Sequence, residues 1–170
     1  MVPKAVRVAV LVNPSNRPST EATLREIPEA ARVLGLQTQV LKATTSREIE
    51  AAFTEMTQDR AEALFVAPDG FFNDRRVQLA TLTMRNRIPA SYVSREVVEV
   101  GGLMSYGTDL IDMYRQIGAY TGRILKGAKP AELPVLQLSK FEFAINLQTA
   151  RALGIEVPNS IQLLADEVIE

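Results

Sequence analysis

Apolar residues fall into two kinds of run along this chain. Val6 to Val12 reads Val-Arg-Val-Ala-Val-Leu-Val, the near-continuous β-branched run of a strand buried on both faces. Gln37 to Leu41 and Ala63 to Ala67 are the second and third strands, and Pro89 to Val93 and Leu103 to Ser105 give two shorter ones. Between them the apolar spacing switches to helical. Leu24, Ile27, Ala31 and Leu34 share one face of a helix that Gly35 stops at the usual C-cap position. Pro28 inside that helix predicts a kink or a later start. Thr45-Ser46-Arg47-Glu48 is a capping box, and Ile49, Phe53 and Met56 line the helix it opens. A third helix is expected from about Asn73 to Asn86, with Val77, Ala80 and Met84 facing in. Leu110, Met113, Ile117, Tyr120 and Ile124 form a stripe on a fourth, from Asp109 to about Lys126, which Gly127 ends and Pro130 follows. Gly118 and Gly122 on that helix would let a neighbour's backbone approach closely. The tail reads strand over Val135 to Leu138, strand over Phe141 to Asn146 and helix over Thr149 to Leu153.

Strands alternating with helices imply right-handed crossovers and a parallel sheet, so the expected class is α/β, Rossmann-like or flavodoxin-like, with helices on the sheet's flanks. Ligands of such sheets bind beyond the carboxyl ends of the strands. That rule singles out residues 13–20, 68–72, 94–95 and 105–109 before any chemistry is considered.

Composition then removes whole classes of function. A chain of 170 residues suits one domain, or one and a small extension. Lys plus Arg is 19 against Asp plus Glu 20, so nothing broad attracts nucleic acid or anionic lipid. With no Cys, disulfides and thiol chemistry are excluded. With no His, the commonest general base and metal ligand is lost, and with it every Ser-His or Cys-His nucleophile. No Walker or GxGxxG pattern occurs, and no cofactor or metal is expected. Met1-Val2-Pro3-Lys4 does not open a secretory signal, and no apolar run approaches the ~18 residues of a membrane span. The expectation is a cytoplasmic protein, or the later part of a longer secreted one.

The candidate chemistry sits in three of the four loops. Asn13, Ser15 and Ser19 can offer side chains and backbone N–H groups to a carboxylate or phosphate at the positive end of a helix. The competing reading is plain N-capping by Ser19 or Thr20. Asp69 precedes Phe71 and Phe72, one of which is expected to plug the core and the other to wall a pocket. Asp109 lies in another loop at the same edge, and two converging carboxylates would suit an amine or sugar hydroxyls. Tyr106 would stack on a ligand or pack as a hinge residue. Arg75-Arg76 and Arg85-Asn86-Arg87 read as solvated helix faces.

The segments NPSN at 13–16, APDGFFNDRR at 67–76, GGLMSYGTD at 101–109, GRILKGAKPAELPV at 122–135 and FEFAINLQTARALGI at 141–155 come in an order and spacing of their own. Together they resemble the C-terminal half of ABC-transporter substrate-binding proteins of the tryptophan/tyrosine-receptor type, which are type I periplasmic-binding-protein-like. The resemblance implies a noncatalytic, periplasmic receptor whose two α/β lobes close over a small ligand and hand it to an ABC permease. It implies that Ser19 helps hold a ligand carboxylate and that Asp69 and Asp109 match the family's two acids. Asp69-Gly70 stands where amino-acid-binding members often have Asp-Asn, and Asn16-Arg17-Pro18-Ser19 where they have Glu-x-Asn-Ser. Residues 1–108 would then be a ligand-binding lobe, and 109–170 a post-hinge helix and tail partly belonging to an N-terminal lobe. Such a half-receptor is expected to pair with that lobe or to form a homodimer through the 109–126 helix or the 135–145 strands. The expected ligand wall is Asn13, Ser15, Ser19, Asp69, Phe71, Tyr106 and Asp109. Two rivals stay open: a small flavodoxin-like enzyme or module binding phosphate or nucleotide at the first loop, and a regulatory ligand-sensing domain.

Overall fold

A computed structural model describes residues 2, 5–135 and 140–170. Its organising strand is β1 (Arg7–Val12), which pairs in parallel with β2 (Gln37–Lys42) on one side and β3 (Ala63–Val66) on the other. Beyond β3 come β4 (Ala90–Tyr92) and β5 (Met104–Thr108), also parallel. Then β6 (Phe141–Asn146) runs antiparallel to β5, with Tyr106 opposite Phe143 and Gly107 opposite Glu142. A short β7 (Glu167–Ile169) lies parallel to β6 and completes the order β2-β1-β3-β4-β5-β6-β7. The α/β class expected from the alternating pattern is what the chain adopts. The order 2-1-3-4-5 reverses between β1 and β3, and the crevice for ligands in such sheets lies beyond that reversal.

Alternation along β1 divides the core. Val10 and Val12 face one side, where Leu24 and Ile27 of α1 (Arg17–Leu34) meet them with Ala67. Ala9 and Leu11 face the other, under Ile49, Phe53 and Met56 of α2 (Ser46–Gln58). A short α3 (Gly70–Asp74) contributes Phe72 to that second side, α4 (Arg76–Arg85) contributes Leu79, and α5 (Arg95–Glu99) contributes Val97. After β5 comes α6 (Leu110–Leu125), none of whose residues is buried. The far end of the sheet has its own cluster of Leu103, Ile145, Ala150 and Val157, closed by α7 (Leu147–Ala152) and α8 (Asn159–Gln162).

Several elements differ from the sequence expectation for identifiable reasons. Pro28 does not break α1, whose N-terminal cap is further upstream than expected. The single helix expected over 73–86 divides at Arg75, because Asp69 caps a separate turn. Its inward face is Leu79, Ala80 and Thr83, and Val77 is 58% exposed. Leu34 is likewise exposed. The fifth strand runs three residues further than expected, so Tyr106 belongs to β5 rather than to a loop. Asn146 caps α7 by accepting from Thr149 N, which starts that helix two residues early. Gly118 and Gly122 face open space, so none of the described residues exploits them. Of the strand expected over Val135 to Leu138, residues 136–138 lie outside the described residues.

Candidate functional site

The loop after β1 turns back on itself through its own side chains. Asn13 Oδ1 accepts from Ser15 N at 3.0 Å, and Thr20 Oγ1 donates to Asn13 O at 2.6 Å. The N-cap of α1 is Asn16, whose Oδ1 accepts from Ser19 N, and not Ser19 or Thr20. Ser19 is therefore inside the first turn, and its hydroxyl donates to Pro68 O at 2.5 Å. That bond ties the loop after β1 to the loop after β3.

Asp69 is the centre of the resulting cluster. Asn13 Nδ2 and Phe71 N both donate to its Oδ1 at 2.9 Å, and Asn16 Nδ2 donates to its Oδ2 at 2.8 Å. All three donors are neutral. Asn13 itself is 8% exposed, so its amide depends on this partner. Beside the cluster, Phe72 is the core plug, while Phe71 is half-buried with the Arg75 guanidinium 5.5 Å from its ring centroid. The remaining Arg75 contact, to Ser46 Oγ at 2.8 Å, fixes that cation over the ring.

The same edge continues through β4. Ser94 Oγ donates to Asn73 Oδ1 at 3.0 Å and also hydrogen-bonds the Glu96 carboxylate. Arg95 pairs with Glu142 at 2.8 Å, Glu99 at 3.0 Å and Glu167 at 2.6 Å, which holds α5 against β6 and β7. A concavity of about 290 Å³ opens above it, lined by Ser94, Arg95, Glu96, Thr108, Leu110 and Glu142.

Of the sequence candidates, the structure brings Asn13, Ser15, Ser19, Asp69 and Phe71 together. Tyr106 and Asp109 lie apart from them. Tyr106 is 57% exposed on β5 and stacks on Phe141, with centroids 5.6 Å apart and planes 9° from parallel. Asp109 caps α6 through Asp112 N at 2.9 Å and pairs with Lys140 at 2.7 Å. The Lys140 ammonium, helped by the Asp112 N–H, holds the Asp109 carboxyl below the usual aspartate range. Asp109 shares no hydrogen bond with the Asp69 cluster among the described residues. Asn16, Asn73, Ser94 and Arg95 were not among the candidates. Asn16 had a legible signal, a polar residue two before a proline that occupies the first helical turn. No cluster of three or more His, Cys, Asp or Glu side chains suited to a metal occurs among the described residues, and no described helix is long and apolar enough to cross a membrane.

The family model for ABC transporter substrate binding proteins matches residues 1–169. The chain belongs to that family. Among curated substrate-binding proteins, the tyrosine-binding protein of Clostridioides difficile is 22% identical over 156 residues, covering 92% of this chain and 45% of that protein. Among solved structures, the ABC domain in complex with L-Trp from Streptococcus pneumonia superposes with a TM-score of 0.87 at 29% identity, over 98% of this chain and 57% of that one. A conserved domain protein from Vibrio cholerae shares the fold with a TM-score of 0.89 at 20% identity, over 98% and 56%. This substrate-binding protein chain thus spans about half the length of the relatives it matches.

Proposed function

We propose that this chain forms one lobe, the C-terminal one, of the solute-binding component of an ABC importer, and that it holds a small ligand such as an amino acid beyond β1 and β3. The observation that carries this reading is Asp69: a carboxylate held by three neutral N–H donors, without a cationic partner among the described residues, at the topological reversal of the sheet. The tyrosine and L-Trp named for two relatives support an amino acid with an aromatic side chain. Asn13, Ser15, Ser19, Asp69 and Phe71 form the wall, and Tyr106 and Asp109, which lie apart from them, belong to the hinge. Residues 1–108 are the ligand lobe, and 109–170 hold the post-hinge helix and the returning tail. An ABC permease is the partner, and the outer side of the cytoplasmic membrane is the setting, as is normal for the family.

Calorimetry of the chain against the twenty amino acids tests the ligand class. Binding of at least one, the aromatic ones first, is expected. Stabilisation by flavin mononucleotide or a nucleotide phosphate and by no amino acid overturns the reading in favour of a phosphate-binding module. Light scattering tests the assembly. The uncovered stripe of α6 calls for a second copy or a second lobe, so a mass about twice 18.7 kDa is expected for the chain alone. A clean monomer that binds no apolar dye removes that part of the proposal.

A further inference from the structure

The chain leaves the sheet at the end of β5 for α6 and comes back into β6, and the outgoing strand carries Gly107 two residues before the helix cap. A glycine there invites the reading of a flexible joint. Its surroundings say otherwise. Gly107 does not have a positive φ, so its conformation does not call for glycine. A Cβ on it would clash with Val93 O and lie 2.8 Å from Val93 C, so what calls for glycine is the peptide of Val93 packed against the backbone of β5. Glu142 stands directly opposite Gly107 in β6. It is taken by Arg95, two residues after Val93, at 2.8 Å. Residues 93–95 therefore hold both strands of the crossing, the outgoing one by main-chain packing and the returning one by charge. Beyond this point the strands stay joined. Thr108 is opposite Phe141, Asp109 N donates to Lys140 O at 3.1 Å, and the Lys140 ammonium reaches the Asp109 carboxylate at 2.7 Å. α6, which follows at once, has no buried residue.

We infer that Arg95 is a positioning residue that bolts the β5–β6 crossing to the sheet, so that the joint between the sheet and α6 lies outside Asp109 and Lys140 and not at Gly107. The guanidinium is suited to this. Its Nε donates to Glu99 Oε1 at 3.1 Å within α5, one terminal nitrogen reaches Glu142 of β6 at 2.8 Å, and the other reaches Glu167 of β7 at 2.6 Å. One planar fork thus joins three elements, which the single ammonium of a lysine does not reproduce. The Arg95 and Glu142 side chains are 32% and 21% exposed, so solvent screens this pair less than it would a fully exposed one. A turn at Gly107 would drag β5 across the Val93 peptide and pull Glu142 from Arg95. A turn beyond Asp109 disturbs neither. Hinges of this kind use a few residues at the ends of elements. For the one-lobe reading, on which this consequence rests, a second lobe carried by α6 would move against a ligand edge that keeps its shape.

Amide hydrogen exchange of the full chain, read by mass spectrometry, is the test. It needs no ligand and no second lobe, so its outcome is separate from that of the calorimetry and light scattering above. In the unaltered chain, peptides over 104–109 and 140–146 should exchange within about tenfold of β1, as parts of one cooperative unit do. Exchange of 104–109 more than about tenfold faster than β1 overturns the inference and places the joint at Gly107. Arg95→Lys should speed exchange of both crossing peptides by at least about tenfold and leave β1 and β3 as they were, a local opening and not a general loss of stability. Glu142→Gln keeps the shape and removes the charge. It should open the same two peptides to a smaller extent, and it carries the test if Arg95→Lys does not fold. Equal acceleration of β1, or a crossing unmoved in both variants, overturns the role of Arg95.

Discussion

Helices α2 and α6 are built to one pattern and end in opposite situations. Each begins with a side-chain cap, Thr45 accepting from Glu48 N and Asp109 from Asp112 N, and each carries an apolar stripe. The α2 stripe is buried, with Ile49, Ala52, Phe53 and Met56 under the sheet. The α6 stripe is not, and Ile117 is 53% exposed. What touches α6 is its own continuation. Tyr120 donates to Pro134 O at 2.7 Å, and the segment from Pro130 to Val135 returns along the stripe, leaving a groove of about 530 Å³. Amphipathic spacing therefore states that a face needs cover, and only the sheet's register states which faces get it from this chain.

The largest expected effect breaks or confirms that contrast directly. Ile49→Ala removes a fully buried side chain and should cost about 2–5 kcal/mol of stability. In the monomer, at a dilution that separates any paired copies, Ile117→Ala on α6 should stay within about 0.5 kcal/mol, as an exposed position does. Urea denaturation of both variants measures the two. If Ile117→Ala costs as much as Ile49→Ala, the α6 stripe is covered in solution and the contrast belongs to the lone chain only.

Asp69→Ala comes next. Its neighbours make it more than an exposed loop acid, because removal strands the buried Asn13 amide and frees Asn16. A stability loss of about 1–3 kcal/mol is expected, alongside weakened ligand binding. Asp69→Asn should recover most of the stability and little of the binding. Parallel thermal melts and calorimetry decide it, and a fold indifferent to both substitutions would mean the cluster holds nothing together.

Two glycines sharpen the same comparison. A Cβ on Gly107 of β5 would lie 1.9 Å from Val93 O, so Gly107→Ala must push the β4–α5 connection away. It should destabilise by about 1–3 kcal/mol. Gly118 of α6 has nothing within 4 Å of a Cβ, so Gly118→Ala should stabilise by about 0.5–1 kcal/mol through helix propensity alone. A destabilising Gly118→Ala would reveal a partner's backbone packed there.

How far this was legible in the sequence follows from the same distinction. The apolar runs marked the first three strands closely, and the run-helix-run rhythm implied the parallel pairing that the first five strands share, but neither the strand order nor the antiparallel β6. The division at Arg75 was hidden, since Val77 and Met84 keep helical spacing although Leu79 and Thr83 are the residues that pack. α5, α8 and β7 span five, four and three residues, too few to show a period. In the site, Asn13, Ser19 and Asp69 could be named from their loops. Asn16 was legible as a cap but not as a partner of Asp69, and Asn73 and Ser94 were not legible as a pair, because these contacts join residues far apart along the chain. Asp109 was legible as a cap and an acid, but its pairing with Lys140 was not, since that contact exists only once β6 lies against β5.

That pairing gives the smallest expected effect, at the junction between the two regions. The Lys140 ammonium and the Asp112 N–H lower the Asp109 pKa, so the folded chain binds this proton less readily than the unfolded one. Stability from Asp109 is therefore present above the ordinary aspartate range of about 3.9 and is lost as the pH falls through its lower folded value. Lys140, raised by Asp109, behaves oppositely: its contribution is present below its ordinary value of about 10.4 and fades only as the pH rises through the higher folded one. Between these limits the pair should leave stability flat with pH. Lys140→Met removes the ion pair but keeps the Asp112 cap, which brings the folded Asp109 value nearer the unfolded one, so the acid limb should end at a higher pH and span a smaller loss of stability. The measurement is the urea midpoint from pH 2.5 to 5, with Glu62 as the internal reference. Two backbone N–H groups, of Arg7 and Val6, lower the Glu62 pKa, and Lys140→Met leaves them in place. Because exposed ion pairs are worth little, the whole difference should be a small shift of the limb. An acid limb identical in the two proteins would mean that the first turn of α6 is not anchored to β6 in solution, and the exposed helix would then be hinged from its first residue.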